Sequence, residues 1–63
     1  MNMLDLRKSV GLTQKEVAKR LGITTAAVSM WETGKTKPRA DSLIALAKLY
    51  GCTVDDILKE VNV

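Results

Sequence analysis

Several residue types that enzymes rely on are missing or rare in this chain. Its 63 residues include no histidine and a single cysteine. Without histidine there is no His-based catalytic triad and no histidine metal site, and a lone cysteine is a poor nucleophile candidate. The four glycines are scattered and form no phosphate-binding loop. We therefore expect no enzyme, and no catalytic residue, metal site, cofactor or small-molecule ligand.

The chain also lacks the signals of export and of membrane insertion. Cys52 has no second cysteine to pair with, which points to a reducing compartment. No apolar run follows a basic start, as it would in a signal peptide. No apolar stretch approaches the roughly 18 residues of a membrane span. These features predict a cytoplasmic protein with no membrane partner.

Aromatic residues are nearly absent, with only Trp31 and Tyr50 present. The core must therefore be aliphatic, and an apolar content of 46% is enough for one small core. A chain this short buries only about 60% of the surface of its unfolded state, so it is marginally stable. We expect residues 1–63 to form a single domain.

Charge is unevenly distributed along the chain. Residues 1–39 carry eight Lys or Arg against three Asp or Glu, whereas residues 40–63 carry two against four. The first part is therefore at +5 and the second at −2. A basic region of this kind either faces a polyanion or is an ordinary solvated surface, and charge alone leaves both readings open.

The glycines and threonines predict where helices end and begin. Residues 11–13, 22–24 and 51–53 are each a Gly-x-Thr triplet. Glycine suits the left-handed position after a helix, and threonine suits the N-cap of the next one. Apolar residues between these signals recur with the helical period, and no alternating strand pattern competes. The predicted helices cover about residues 2–10, 14–21, 25–33, 40–50 and 54–61.

The second and third predicted helices meet at a sharp corner. Ala18 is small enough for a close helix crossing, and Gly22 provides the left-handed turn. Ile23 is expected to be buried in the corner, and Val28 and Trp31 to face inward. This is the pattern of a helix-turn-helix over about residues 14–33, a unit that places its second helix in the major groove of DNA.

The same segment resembles a known family. Residues 31–38, Trp-Glu-Thr-Gly-Lys-Thr-Lys-Pro, match the Trp-Glu-x-Gly-Lys-x-x-Pro signature of the phage-repressor class of helix-turn-helix proteins, the Cro and cI or XRE type. Leu6-Arg7 and residues 11–14 match upstream. Residues 43–47 and 53–58 match downstream. The resemblance spans about residues 3–58.

This resemblance implies an all-α, five-helix repressor-like domain in which helices 2 and 3 form the helix-turn-helix. It implies a sequence-specific transcriptional regulator, with repression as the expected role, that binds double-stranded DNA at a palindromic operator in the nucleoid. The expected base contacts are Thr25, Ala26, Ser29 and Met30. The expected phosphate contacts are Gln14, Thr24, Thr33, Lys35, Lys37 and Arg39. Arg7 and Glu32 correspond to a partly buried ion pair that joins the first helix to the end of the third.

The expected recognition helix has an unusual composition. Residues 24–30 carry no charge and no Gln, Asn or Arg, the residues that many family members use to read bases. Hydroxyls, methyls and a thioether suit contact with thymine methyl groups and readout of DNA shape. The bland alternative is that Thr25 and Ala26 are plain surface residues and that Met30 fills a gap in the core.

An apolar C-terminal segment leaves a second function open. Ile57, Leu58, Val61 and Val63 are either the seam of a homodimer or the docking surface of an antitoxin-like protein-interaction module on the same fold.

Overall fold

Five α-helices form the chain in a computed structural model that describes residues 2–61, with only the backbone described for residues 59–61. Their bounds are α1 (Met3–Ser9), α2 (Gln14–Leu21), α3 (Thr25–Thr33), α4 (Ala40–Tyr50) and α5 (Val54–Val61). The predicted all-α, five-helix class is confirmed. The bounds of the last four helices agree with the prediction, and α1 is one residue shorter at each end.

Threonine caps determine where α2 and α5 begin. Thr13 Oγ1 accepts from the N–H of Glu16 at 3.1 Å, and the Glu16 carboxylate accepts from the N–H of Thr13 at 3.0 Å. The backbone bond to Thr13 lowers the pKa of Glu16. Thr53 and Asp56 form the same reciprocal pair, with both bonds at 3.1 Å. Aspartate therefore completes the capping box as well as glutamate does, although its shorter side chain makes the sequence signal weaker.

The corner between α2 and α3 is built as the sequence predicts, with one difference. Gly22 has a φ of +70°, and the N–H of Ile23 donates to the carbonyl of Ala18 at 2.9 Å. Ala18 is only 3% exposed, and among the residues that the structure describes α2 packs against α3 more extensively than any other two helices pack. Ile23 is partly exposed, so the prediction that it is buried in the corner is wrong. It packs at the edge of the core because the tight turn holds it on the rim of the crossing.

All five helices contribute to one aliphatic core. The side chains that are most deeply buried come from α2, α3, α4 and α5: Val17, Val28, Leu46 and Ile57. Trp31 and Tyr50 complete this core from α3 and α4. Val28 and Trp31 therefore face inward, which fixes the rotation of α3 about its axis.

The burial of Ile57 corrects the expected dimer seam. Its exposed fraction is 0%, because α5 turns this residue onto the core of its own chain. Ile57 therefore has no surface to offer a second protein. Leu58 is half-buried, and the side chains of Val61 and Val63 lie outside the described residues. Among residues 2–61, no helix combines the length and apolarity that a membrane crossing requires.

Candidate nucleic-acid interface

The outer face of α3 is small and uncharged. Thr25 and Ala26 are exposed, whereas Ser29 and Met30 are half-buried. Since the opposite side of the helix is anchored by the core, these four side chains lie on the part of α3 that a partner can reach. Met30 is neither a fully buried core residue nor a freely exposed one.

The N-terminal end of α3 has the partial positive charge of the helix dipole, and no acidic side chain of its own first turn offsets it. Its first turn contains no acidic residue, in contrast to the first turns of the other four helices. Thr24 Oγ1 accepts from the N–H of Ala27 at 3.2 Å. A hydroxyl that accepts one bond can still donate its own proton. Thr24 can therefore cap the helix and donate to an anion at once, next to the free N–H groups of the first turn.

A basic loop, residues 34–39, follows α3 directly. Gly34 ends the helix with a φ of +83°, and the N–H of Lys35 donates to the carbonyl of Met30 at 3.0 Å. Pro38 is buried, so the loop is tethered at both ends. Between these anchors Lys35 and Lys37 are exposed. The loop therefore holds its charges beside the end of α3.

Arg39 closes the loop as the N-cap residue of α4, but its side chain makes no capping hydrogen bond. It is exposed, and it lines an open depression together with Lys37, Trp31 and the first turn of α4. Since arginine cannot accept a hydrogen bond, it contributes charge here and no cap. Thr33 is also exposed, and its hydroxyl donates to the carbonyl of Met30 at 3.3 Å.

A polar brace behind this surface joins three helices, and we define it as Arg7, Gln14 and Glu32. Arg7 Nε lies 2.7 Å from Glu32 Oε2, and Arg7 Nη2 lies 3.3 Å from Glu32 Oε1. Gln14 Nε2 donates to Glu32 Oε1 at 2.8 Å. The side chains of Arg7 and Glu32 are 11% and 6% exposed. One carboxylate in the last turn of α3 thus ties down both α1 and the start of α2.

Two further features bear on the brace, and sequence reasoning missed both. Arg7 Nη1 donates to the carbonyl of Leu12 at 2.9 Å. The hydrogen bond to Glu32 raises the pKa of Arg7 above its ordinary value. Tyr50 is buried at 4% exposure, and burial, with the charge of Glu32, raises its pKa to about 12. The helical period marks Tyr50 only as a core residue, and nothing in the sequence marks a backbone carbonyl as a partner.

The structure therefore places the predicted site residues in two connected groups. Thr24, Thr25, Ala26, Ser29 and Met30 lie along α3. The others lie at or just beyond its last turn: Gln14, Thr33, Lys35, Lys37 and Arg39. Within the part of the chain that the structure describes, no cluster of three or more acidic or cysteine side chains could hold a metal ion.

The amino-acid sequence of this chain matches known proteins. The sequence pattern of the helix-turn-helix family matches residues 3–57. The chain belongs to this family, in its phage-repressor or XRE-type branch. Its relatives include repressor protein C2 of Salmonella phage P22, which is 36% identical over 53 residues. The transcriptional activator BcrR of Enterococcus faecalis is 38% identical over 53 residues, and the regulator DicA of Escherichia coli is 40% identical over 52.

The helix-turn-helix domain accounts for only part of each relative. The aligned segments cover 84% of this chain in C2 and BcrR and 82% in DicA. They cover 24% of C2, 26% of BcrR and 38% of DicA, so this chain spans less than half the length of these relatives. No solved structure matches the chain.

Proposed function

We propose that this chain binds double-stranded DNA and regulates transcription, with α3 in the major groove. The observation that carries the proposal is the basic loop: three exposed cations follow directly after a helix with an uncharged outer face and a free positive end. The printed names of its relatives are those of transcriptional regulators, one a repressor and one an activator. We propose repression as the role of this chain.

Phosphate contacts come from the basic loop, from both ends of α3 and from the first residue of α2. Lys35, Lys37 and Arg39 supply charge, while Thr24 and Gln14 supply neutral hydrogen-bond donors. The hydroxyl of Thr33 joins them by turning its proton from the carbonyl of Met30 to a phosphate. Cations that neutralise phosphates release counterions, and each such contact contributes about −0.9 to the slope of log affinity against log salt. The three cations of the basic loop therefore predict a slope near −2.7, at about −0.9 for each phosphate contact.

The side chains on the outer face of α3 contact the bases. The methyl groups of Thr25 and Ala26 suit the thymine methyl, the hydroxyl of Ser29 can pair with several base edges, and Met30 contributes an apolar contact. Because none of these side chains makes the bidentate bonds that select guanine or adenine, we propose sites with thymine-rich positions. A homodimer on a palindrome would show two half-sites about 10 bp apart in duplexes selected from a random pool.

The interaction-module alternative loses part of its support. It depended on an apolar surface at the C-terminal end, and Ile57 belongs to the core of this chain. Among the side chains that the structure describes, the most exposed large apolar one is Ile44 of α4, at 51%, and its neighbours at positions 41 and 48 are an aspartate and a lysine.

A salt titration with a matched control tests the proposal. The affinity of wild-type protein, Lys37→Ala and Lys48→Ala for a random-sequence duplex is measured by fluorescence anisotropy at several salt concentrations. Lys48 is also exposed, but it lies near the far end of α4, about 13 Å along the helix from Arg39. We expect Lys37→Ala to flatten the slope by about one unit and Lys48→Ala to leave it unchanged. Equal slopes for the two variants would refute the phosphate contact.

A further inference from the structure

We propose that Glu32 is a positioning residue for DNA binding, which acts by fixing the side-chain amide of Gln14 so that one of its N–H groups faces the phosphate backbone. This inference rests on the proposed function. The Glu32 carboxylate cannot itself bind phosphate. Its role is to support the phosphate contact that Gln14 makes.

The chemistry of the pair determines which end of the amide faces Glu32. A glutamine side chain has a carbonyl end that accepts and an NH₂ end that donates, and the two ends have nearly the same shape. An ionised carboxylate only accepts. Glu32 Oε1 lies 2.8 Å from the Gln14 amide, so the NH₂ group must be the end that faces it.

Arg7 holds the Glu32 carboxylate in a fixed orientation. Its guanidinium holds both carboxylate oxygens, at 2.7 and 3.3 Å, and the Glu32 side chain is only 6% exposed. The carboxylate therefore cannot rotate away without losing the ion pair. Glu32 presents a fixed acceptor, and Gln14 is aligned against it.

The Gln14 amide retains a second N–H group that makes no hydrogen bond to the described side chains. An NH₂ group has two protons, and the bond to Glu32 uses one of them. No other hydrogen bond to the Gln14 side chain is found among the residues whose side chains are described. Gln14 is the first residue of α2 and reaches across to the last turn of α3, directly before the basic loop. Its second proton is therefore available close to the end of α3 from which the basic loop continues.

Because the Gln14 amide is neutral, its contact with phosphate can be distinguished experimentally from the contacts of the cations in the basic loop. A neutral donor on a phosphate releases no counterion, so its loss weakens binding without changing the salt slope. Loss of a lysine from the basic loop changes both the affinity for DNA and the salt slope.

A double-mutant cycle tests the positioning role. Wild-type protein, Gln14→Met, Glu32→Gln and the double variant are compared for binding to a random-sequence duplex, at a temperature at which circular dichroism shows all four to be folded. Gln14→Met keeps the length of the side chain and removes the amide. Glu32→Gln keeps the shape of the side chain but can face Gln14 with either end of its own amide.

We expect Glu32→Gln to weaken binding about tenfold when Gln14 is present and to have no effect when position 14 is methionine, with the salt slope unchanged in both backgrounds. The same loss in both backgrounds would show that Glu32 acts only through the fold and would overturn the inference. Failure of the proposed function looks different, since wild-type protein would then not bind the duplex at any salt concentration.

Nuclear magnetic resonance provides a second test on wild-type protein, which avoids any loss of folding caused by Glu32→Gln. The two side-chain amide protons of Gln14 give separate signals. In the free protein, we expect one proton to exchange slowly because it is bonded to Glu32. On addition of the duplex, the other proton should shift and become protected. A second proton that neither shifts nor gains protection would contradict the inference.

Discussion

Breaking the ion pair between Arg7 and Glu32 should remove a large part of the stability of the fold. A domain of this size has a free energy of unfolding of about 3 to 9 kcal/mol. Removing one partner of a buried pair typically costs about 3 to 5 kcal/mol, because the remaining charge is stranded. Side-chain exposures of 11% and 6% leave some access to water, so we take the lower end of that range.

Arg7→Met leaves the Glu32 carboxylate with Gln14 as its partner, and Glu32→Gln leaves the Arg7 guanidinium with the carbonyl of Leu12. We expect each change to cost about 3 kcal/mol, which lowers the melting temperature by about 12 to 24 °C in a domain this small. The double variant strands no charge. It should be more stable than the sum of the single effects predicts, by about 2 kcal/mol.

Thermal and urea unfolding followed by circular dichroism measure these values. Lys8→Met is the matched control, because Lys8 is also in α1, carries the same charge and is exposed. It should change stability by no more than about 0.5 kcal/mol. Single variants as stable as this control, or a double variant equal to the sum of the two, would refute the proposed energetic role of the brace.

Three further predictions concern other parts of the chain. Gly22→Ala should destabilise the domain by about 1 kcal/mol in urea unfolding; the added Cβ meets no atom within 4 Å, so the cost comes from the backbone φ of +70° alone. Arg39→Ser should stabilise the domain by about 1 kcal/mol by adding the missing cap on α4, and should weaken DNA binding and flatten its salt slope. Tyr50 should ionise near pH 12 in an absorbance titration. Because its pKa is raised above the ordinary value of 10.0, its contribution to stability is complete below pH 10 and is lost as the pH rises towards about 12.

The helix bounds were predictable because their signals are local. A threonine cap or a left-handed glycine acts within four residues of its own position, so Thr13, Gly22 and Thr53 determine the ends of the helices directly. The inward faces of α3 and α4 follow from the helical period in the same way. Ile23 was misplaced because the depth of a residue at a tight crossing depends on how two helices meet, and a single helix does not determine that.

The contacts within the candidate site were harder to predict from the sequence than the helix bounds. Arg7 and Glu32 are 25 residues apart, and only the resemblance to a family suggested that they pair. The bond from Arg7 to the carbonyl of Leu12 depends on the path of the backbone after α1. The position of Ile57 shows the same limit. An apolar residue on a helical stripe can face its own core or a partner, and only tertiary packing distinguishes the two.

Binding of wild-type protein to a random-sequence duplex, measured by fluorescence anisotropy across a range of salt concentrations, tests the central claim most directly. Binding should weaken as salt rises with a slope near −2.7, from about −0.9 for each of three cations. Substitution of Lys35, Lys37 and Arg39 together by alanine should abolish this dependence while the fold persists. Folded wild-type protein that does not bind the duplex at micromolar concentration and low salt would contradict the account.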